Sequence, residues 1–200
     1  MRTVSMRGLA SLAVLLLAPW GMAGALPGEA SSTMLSNDAI ARPPAHQEVV
    51  SPNGSYILIL AAPVNRDTMT WDTKQVDATL YSTQGTLCQP LWSKTLPQEY
   101  GPRFALVNDQ GQVALLDEWI NVASPHAVMV MNSTGKVVAQ HGFEDLAARL
   151  QVSRADIVDA ARFGWWISRA PALIRNGEMV QVSTAGKQLK IDLETGALSL

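Results

Sequence analysis

The chain has 200 residues, 48% of them hydrophobic, and its 15 Lys and Arg against 17 Asp and Glu give a net charge of −2. That length fits one domain with a core of its own, and that charge balance disfavours nucleic acid, whose phosphates need clustered Lys and Arg. A single cysteine, Cys88, excludes any intrachain disulfide. In Leu87-Cys88-Gln89 it reads as a small buried apolar residue rather than a reactive thiol; an intermolecular disulfide is the alternative.

Residues 1–25 read as a cleavable signal peptide. Arg2 and Arg7 give a positive start, residues 8–20 are apolar apart from Ser11, and Ala23-Gly24-Ala25 offers a small-residue cleavage site. The apolar run falls short of the roughly 20 residues that cross a bilayer as a helix. No Cys stands near the cleavage site to carry a lipid. The expected location is the periplasm or the exterior, with no stable membrane span after cleavage. Cleavage removes two of the 15 basic residues and none of the 17 acidic ones, taking the net charge to about −4.

Residues 26–47, with Ser31-Ser32-Thr33 and Arg42-Pro43-Pro44, show neither helical nor strand periodicity and read as a flexible Pro/Ser/Ala-rich leader. From residue 48 the pattern changes. Short runs of Val, Ile, Leu and Tyr alternate with turns at Ser51-Pro52-Asn53-Gly54, Ser82-Thr83-Gln84-Gly85, Asn108-Asp109-Gln110-Gly111, Asn132-Ser133-Thr134-Gly135, Arg175-Asn176-Gly177 and Glu194-Thr195-Gly196. Each places a Gly where positive φ is needed, with Asn or Asp helping, which is how β-hairpins close. The turns fall in pairs, so 48–200 reads as one mainly β domain of three four-stranded antiparallel units, near 48–102, 103–142 and 172–200. Asn53 and Asn132 also head Asn-x-Ser/Thr sequons in these turns.

Segments such as Val107-Asn108-Asp109-Gln110-Gly111-Gln112-Val113 and Ile191-Asp192-Leu193-Glu194-Thr195-Gly196 resemble the hairpins of β-propeller-like repeats in bacterial secreted proteins. The resemblance lies in turn grammar and covers most of 48–200. The Gly-His and Trp-Asp pairs of WD40 repeats are not repeated; Trp71-Asp72 occurs once. It implies an open or partial propeller and no particular chemistry, because a closed ring takes four to eight blades. A homodimer that completes the ring, an open array and a smaller sandwich are the alternatives.

A helical insert, 143–163, separates the second and third units. Phe143, Leu146, Ala147 and Leu150 share one face, with Glu144 and Asp145 early and Arg149 late, as the helix dipole prefers. Ser153 reads as the N-cap of a second helix over 154–162, with Ile157, Val158 and Ala161 inward. Two short helices over a sheet edge are expected.

Candidate sites are few. Asp117-Glu118-Trp119 follows an apolar strand, and paired carboxylates beside an aromatic suit acid–base chemistry or sugar binding. Neighbours on a strand point to opposite faces, so the plainer reading is a carboxylate holding a turn while Trp119 packs. Trp165-Trp166, after Gly164, offers aromatic surface of the kind found at binding hot spots. If the pair lies on a strand, one ring faces away from the core; the plainer reading buries both rings under the helices. His46, His126 and His141 show no metal-ligand spacing, and no nucleophile elbow or Gly-rich phosphate loop is present. No metal and no cofactor are expected.

Two function classes remain. The first is an exported non-catalytic binding or scaffold module for a protein or glycan ligand, using a face centred on Trp119, Trp165 and Trp166, with little perturbation of pKa values. The second is a periplasmic or secreted hydrolase in which Asp117 or Glu118 works with His126, which requires the three side chains to converge in one pocket.

Overall fold

The computed structural model describes residues 43–62, 75–85, 87–120 and 122–200. The signal peptide, most of the leader, and Trp71-Asp72 lie outside the described residues. All the elements below belong to one unit, Ala41–Leu200.

Twelve strands form three antiparallel meanders in which each strand pairs with the next along the chain. Sheet 1 holds β1 (His46–Val50), β2 (Tyr56–Ala61), β3 (Asp77–Ser82) and β4 (Gln89–Thr95). Sheet 2 holds β5 (Phe104–Val107), β6 (Val113–Leu116), β7 (Val128–Met131) and β8 (Val137–His141). Sheet 3 holds β9 (Arg169–Ile174), β10 (Met179–Thr184), β11 (Lys187–Asp192) and β12 (Leu198–Ser199). The first strand opens at His46, so the leader gives way to sheet two residues earlier than its composition suggests, and the third unit opens at Arg169 rather than near 172.

All six Gly turns of the sequence reading join consecutive strands, and they are the first and third connections of each sheet. The middle connections have no Gly signature in common. In sheet 2 it is a long loop, 117–127, and in sheet 3 a two-residue turn in which Ala185 (φ 46°) and Gly186 both adopt positive φ. Such a turn closes a twisted hairpin at some cost to Ala.

Sheet 2 lies between the other two. One face, with Val113, Leu115 and Met129, packs on Leu58, Leu80 and Trp92 of sheet 1. The opposite face, with Ala114, Leu116 and Val130, packs on Val180, Leu189 and Ile191 of sheet 3. Covered on both sides, β6 and β7 are Val-Ala-Leu-Leu and Val-Met-Val-Met, fully buried and without polar alternation. The outer sheets cover one face each, and their strands alternate. The first strands sit side by side, β5 against β1 and against β9.

The helices form where the pattern predicts. α1 (Phe143–Leu150) buries Phe143, Leu146 and Leu150, and the Asp145 carboxylate accepts the Gly142 N–H at 2.8 Å. α2 (Arg154–Ala160) starts at Ser153, whose hydroxyl accepts the Asp156 N–H, and buries Ile157. It stops at Ala160, two residues short of the expected end, because Ala161 is extended. α1 rests against β8, the outer strand of sheet 2.

Two expectations are corrected. Cys88 is exposed, since the β3–β4 connection carries it out into solvent beside Leu87, 69% exposed. Trp165 and Trp166 lie on a turn closed by bonds between Phe163 and Ile167, not on a strand; the left-handed Gly164 (φ 63°) reverses the chain there.

Candidate functional site

The polar centre of the fold gathers where β6 ends. Arg103 N donates to Leu116 O (3.1 Å) and Asp117 N donates to Ala127 O (2.8 Å), which continues the sheet 2 ladder for one step beyond its strands. Asp117 then takes up φ 57°, a left-handed conformation that Asp tolerates better than most residues. This turn throws the 117–127 loop out of the sheet.

Its carboxylate is fully buried. Oδ2 accepts the backbone N–H of Trp165 at 3.1 Å and lies 3.4 Å from Arg103 Nε. The Arg103 guanidinium in turn stacks on the Trp119 ring, 4.3 Å from its centroid, a cation–π contact. Gly164 is required because a Cβ there would collide with the Asp117 carboxylate. One acid thus joins the sheet 2 loop, the residues before β5 and the turn after α2. Burial pushes its pKa up from 3.8 to about 6, against the opposing pull of the Trp165 and Glu118 N–H groups and of Arg103. The expectation of little perturbation fails at this residue. Asp117 Oδ1 and the indole N–H groups of Trp119, Trp165 and Trp166 are buried with no hydrogen-bond partner among the described residues.

Glu118 goes elsewhere. It is 4% exposed and accepts the Ser124 hydroxyl at 2.8 Å, while Ser124 Oγ accepts the backbone N–H of His126 at 2.9 Å. Ser124 therefore bridges Glu118 to the His126 backbone, and the His126 imidazole takes no part. The alternation argument for Asp117 and Glu118 reaches the right separation for a different reason, since the two residues lie past the end of the strand.

Trp119 is half-buried, and so is Trp165; Trp166 has no exposed surface and packs with Leu146, Ile157 and Val182. A face presenting all three rings is therefore not formed. His46 lies in β1, His126 in the 117–127 loop and His141 in β8, where its Nε2 meets Gly196 O at 2.8 Å. No cluster of three or more metal-ligating side chains occurs among the described residues.

Sequence reasoning missed the open surface across the first strands. Val50, Pro52, Phe104, Leu106, Pro171 and Leu173 line an apolar groove of about 290 Å³ that touches all three sheets. At its rim the sheets are tied together by their first turns. Asn53 N donates to Asp109 Oδ1 (2.9 Å), and Asn108 Nδ2 donates to Gly177 O (2.9 Å). A second hollow, about 450 Å³, lies at the start of α1 between Ser124, Gln140, Glu144 and Asp145. Arg103 and Ser124 were also missed, being polar residues with no local motif.

No family model matches the chain, and no curated protein matches it. No helix among the described residues is long and apolar enough to cross a membrane.

Proposed function

We propose that the chain is an exported, non-catalytic binding or scaffold module, built as an open propeller-like array of three sheets. The observation that carries this reading is the groove across β1, β5 and β9: the first strands of all three units lie together, and an apolar hollow of about 290 Å³ runs over them. Propeller blades radiate from their first strands, and the end of that axis is where such folds commonly take ligands. The repeat grammar of the turns agrees with it. The ligand that suits the groove is an extended protein segment with apolar side chains, or a glycan that uses its apolar face. Asp117 and Glu118 each hold internal bonds, which fits a scaffold.

One observation favours a hydrolase as the second reading. Asp117 titrates near 6, the range in which enzymes place acid–base groups. A single experiment separates the two. The exported chain, cleaved after Ala25, is applied to peptide and glycan arrays and to chromogenic ester, glycoside and peptide substrates. The binding reading expects array ligands that Val50→Asp abolishes, with no turnover. Turnover that disappears in Asp117→Asn or Glu118→Gln, with the fold intact by circular dichroism, would replace it with the hydrolase.

A further inference from the structure

The three sheets stack by one repeated rule, and the rule leaves two faces over. The face of sheet 1 bearing Leu58 and Leu80 meets the face of sheet 2 bearing Val113 and Leu115. The face of sheet 2 bearing Ala114 and Leu116 then meets the face of sheet 3 bearing Val180 and Val182. In both contacts each sheet presents its forward face to the rear face of the next, with first strands adjacent. The rear face of sheet 1 and the forward face of sheet 3 have no counterpart among the described residues.

The two leftover faces differ in a complementary way. On sheet 1 the register places Val50, Ile57 and Tyr81 in one row, and Glu48, Ile59 and Thr79 in the next, with Asp77 on the same side. Val50 is 51% exposed and Leu91, beside this row, 45%. The charge of the strands on this face comes from Glu48 and Asp77; His46 and the Tyr81 phenol are the other titratable groups on it. On sheet 3 the register aligns Arg169 with Ser183 and Gln188, and Ala172 with Gln181 and Lys190. Its charges are Arg169 and Lys190 against one acid, Asp192, in the row of Met179 and Ile174, so the face is net positive. An acidic face and a basic face are thus the two ends of the same stack.

We propose that a second copy of this chain closes the array: the acidic rear face of sheet 1 in one protomer docks on the basic forward face of sheet 3 in the other, and two-fold symmetry makes the contact twice. Continuing the internal stacking rule across the chain boundary generates a ring of six sheets, within the four to eight that close. Glu48 and Asp77 meet Arg169 and Lys190. The apolar row of sheet 1 faces Ala172, and the Gln and Ser side chains of sheet 3 lie toward the wet outer part of the interface. Closing the ring also converts the groove over β1, β5 and β9 into one end of a central channel. The inference rests on the propeller-like reading above.

The test is a charge swap read by sedimentation and light scattering on the exported chain, cleaved after Ala25. Wild type is expected to be a dimer whose dissociation constant rises at least tenfold between low and high salt. Arg169→Glu with Lys190→Glu is expected to be monomeric at the same concentration. Adding Glu48→Lys and Asp77→Lys to that variant is expected to restore the dimer. A wild-type monomer at all concentrations overturns the proposal, and so does a dimer indifferent to the sheet 3 reversal or one that the compensating charges fail to rescue. Array binding on the same samples keeps the readings distinct: a monomer that binds ligands leaves the binding module standing, while a closed dimer that binds nothing removes it.

Discussion

Sheet 2 and sheet 3 have the same topology and close to the same length, yet their sequences obey different rules. β6 and β7 are apolar at every position, while β10 and β11 alternate Val180, Val182, Leu189 and Ile191 with Gln181, Ser183, Gln188 and Lys190. The difference follows from the number of faces covered. Strands covered on both sides have no water to satisfy polar side chains, so β6 and β7 carry none. The comparison teaches that in a stack of like units the position of each sheet is written in its outward residues. It can be attacked first at the point of greatest burial.

The largest effect is expected at Leu115, which has no exposed surface and sits in the sheet 1–sheet 2 core. Leu115→Ala should cost about 2–5 kcal/mol, transfer plus cavity, in the urea unfolding free energy. Lys190→Ala, at the outward side of sheet 3, should change the unfolding free energy of the monomer by less than about 0.5 kcal/mol. Equal costs would mean that the two sheets are covered alike.

Next comes Asp117, where the central sheet hands its chain to the loop. Its folded pKa, about 6, lies above the unfolded value of 3.8 because burial penalises the charged form. Between those values the folded state binds more proton than the unfolded state, so this group's contribution to stability falls as the pH rises from 4 to 6. Two units correspond to about 3 kcal/mol. Asp117→Asn keeps an acceptor for the Trp165 N–H and removes the titration. The wild-type minus variant unfolding free energy should therefore drop by about that amount between pH 4 and pH 7. A difference that is flat with pH would place the carboxylate in water. Among the described residues Arg103 is the charged side chain paired with it, and the neighbouring Glu118 points to Ser124.

How much of this was legible in advance divides along the same line. The six Gly turns and the helix caps carry their cause within four residues, Gly for positive φ and Ser153 for the open N–H groups, so local reading finds them. The three-unit architecture follows from their spacing. The Asp117 site is built from residues 103, 117, 119 and 165, and its parts meet only after sheet 2 has formed. Gly164 before the two tryptophans is the one local sign, since its positive φ makes the turn that brings Trp165 N–H to the Asp117 carboxylate. The register rows that make one outer face acidic and the other basic need the strand pairing before they can be seen.

A smaller effect is expected at the α2 cap, which closes the space between sheets 2 and 3 from outside. Ser153→Ala removes the acceptor for the Asp156 N–H and should cost about 1 kcal/mol in the same unfolding measurement. Ile157, buried on that helix, keeps α2 docked, so the loss should appear as faster amide exchange in residues 154–160 before any change in the sheets. Exchange that speeds equally in β6 would show the helix to be part of the central sheet's own cooperative unit.

The smallest effect belongs to the last turn of sheet 3, and it has the opposite sign to Asp117. Asp192 Oδ1 accepts the N–H groups of Thr195 (2.8 Å) and Glu194 (3.0 Å) and the Thr195 hydroxyl, and these bonds, the Thr195 N–H foremost, hold its pKa below 3.8. The group is largely exposed, so solvent screens most of what it contributes. That contribution is present above the unfolded pKa and is lost as the pH falls through the lowered folded one. Asp192→Ala should therefore be slightly less stable than wild type at pH 7 and converge with it as the solution is acidified. Over the same descent Asp117→Asn should fall behind wild type. Two aspartates, one sealed beside the central sheet and one on the rim of the outer one, thus respond to acid in opposite directions because burial dominates the first and turn hydrogen bonds the second. A common direction for both variants would show that depth in the stack does not decide how its charges behave.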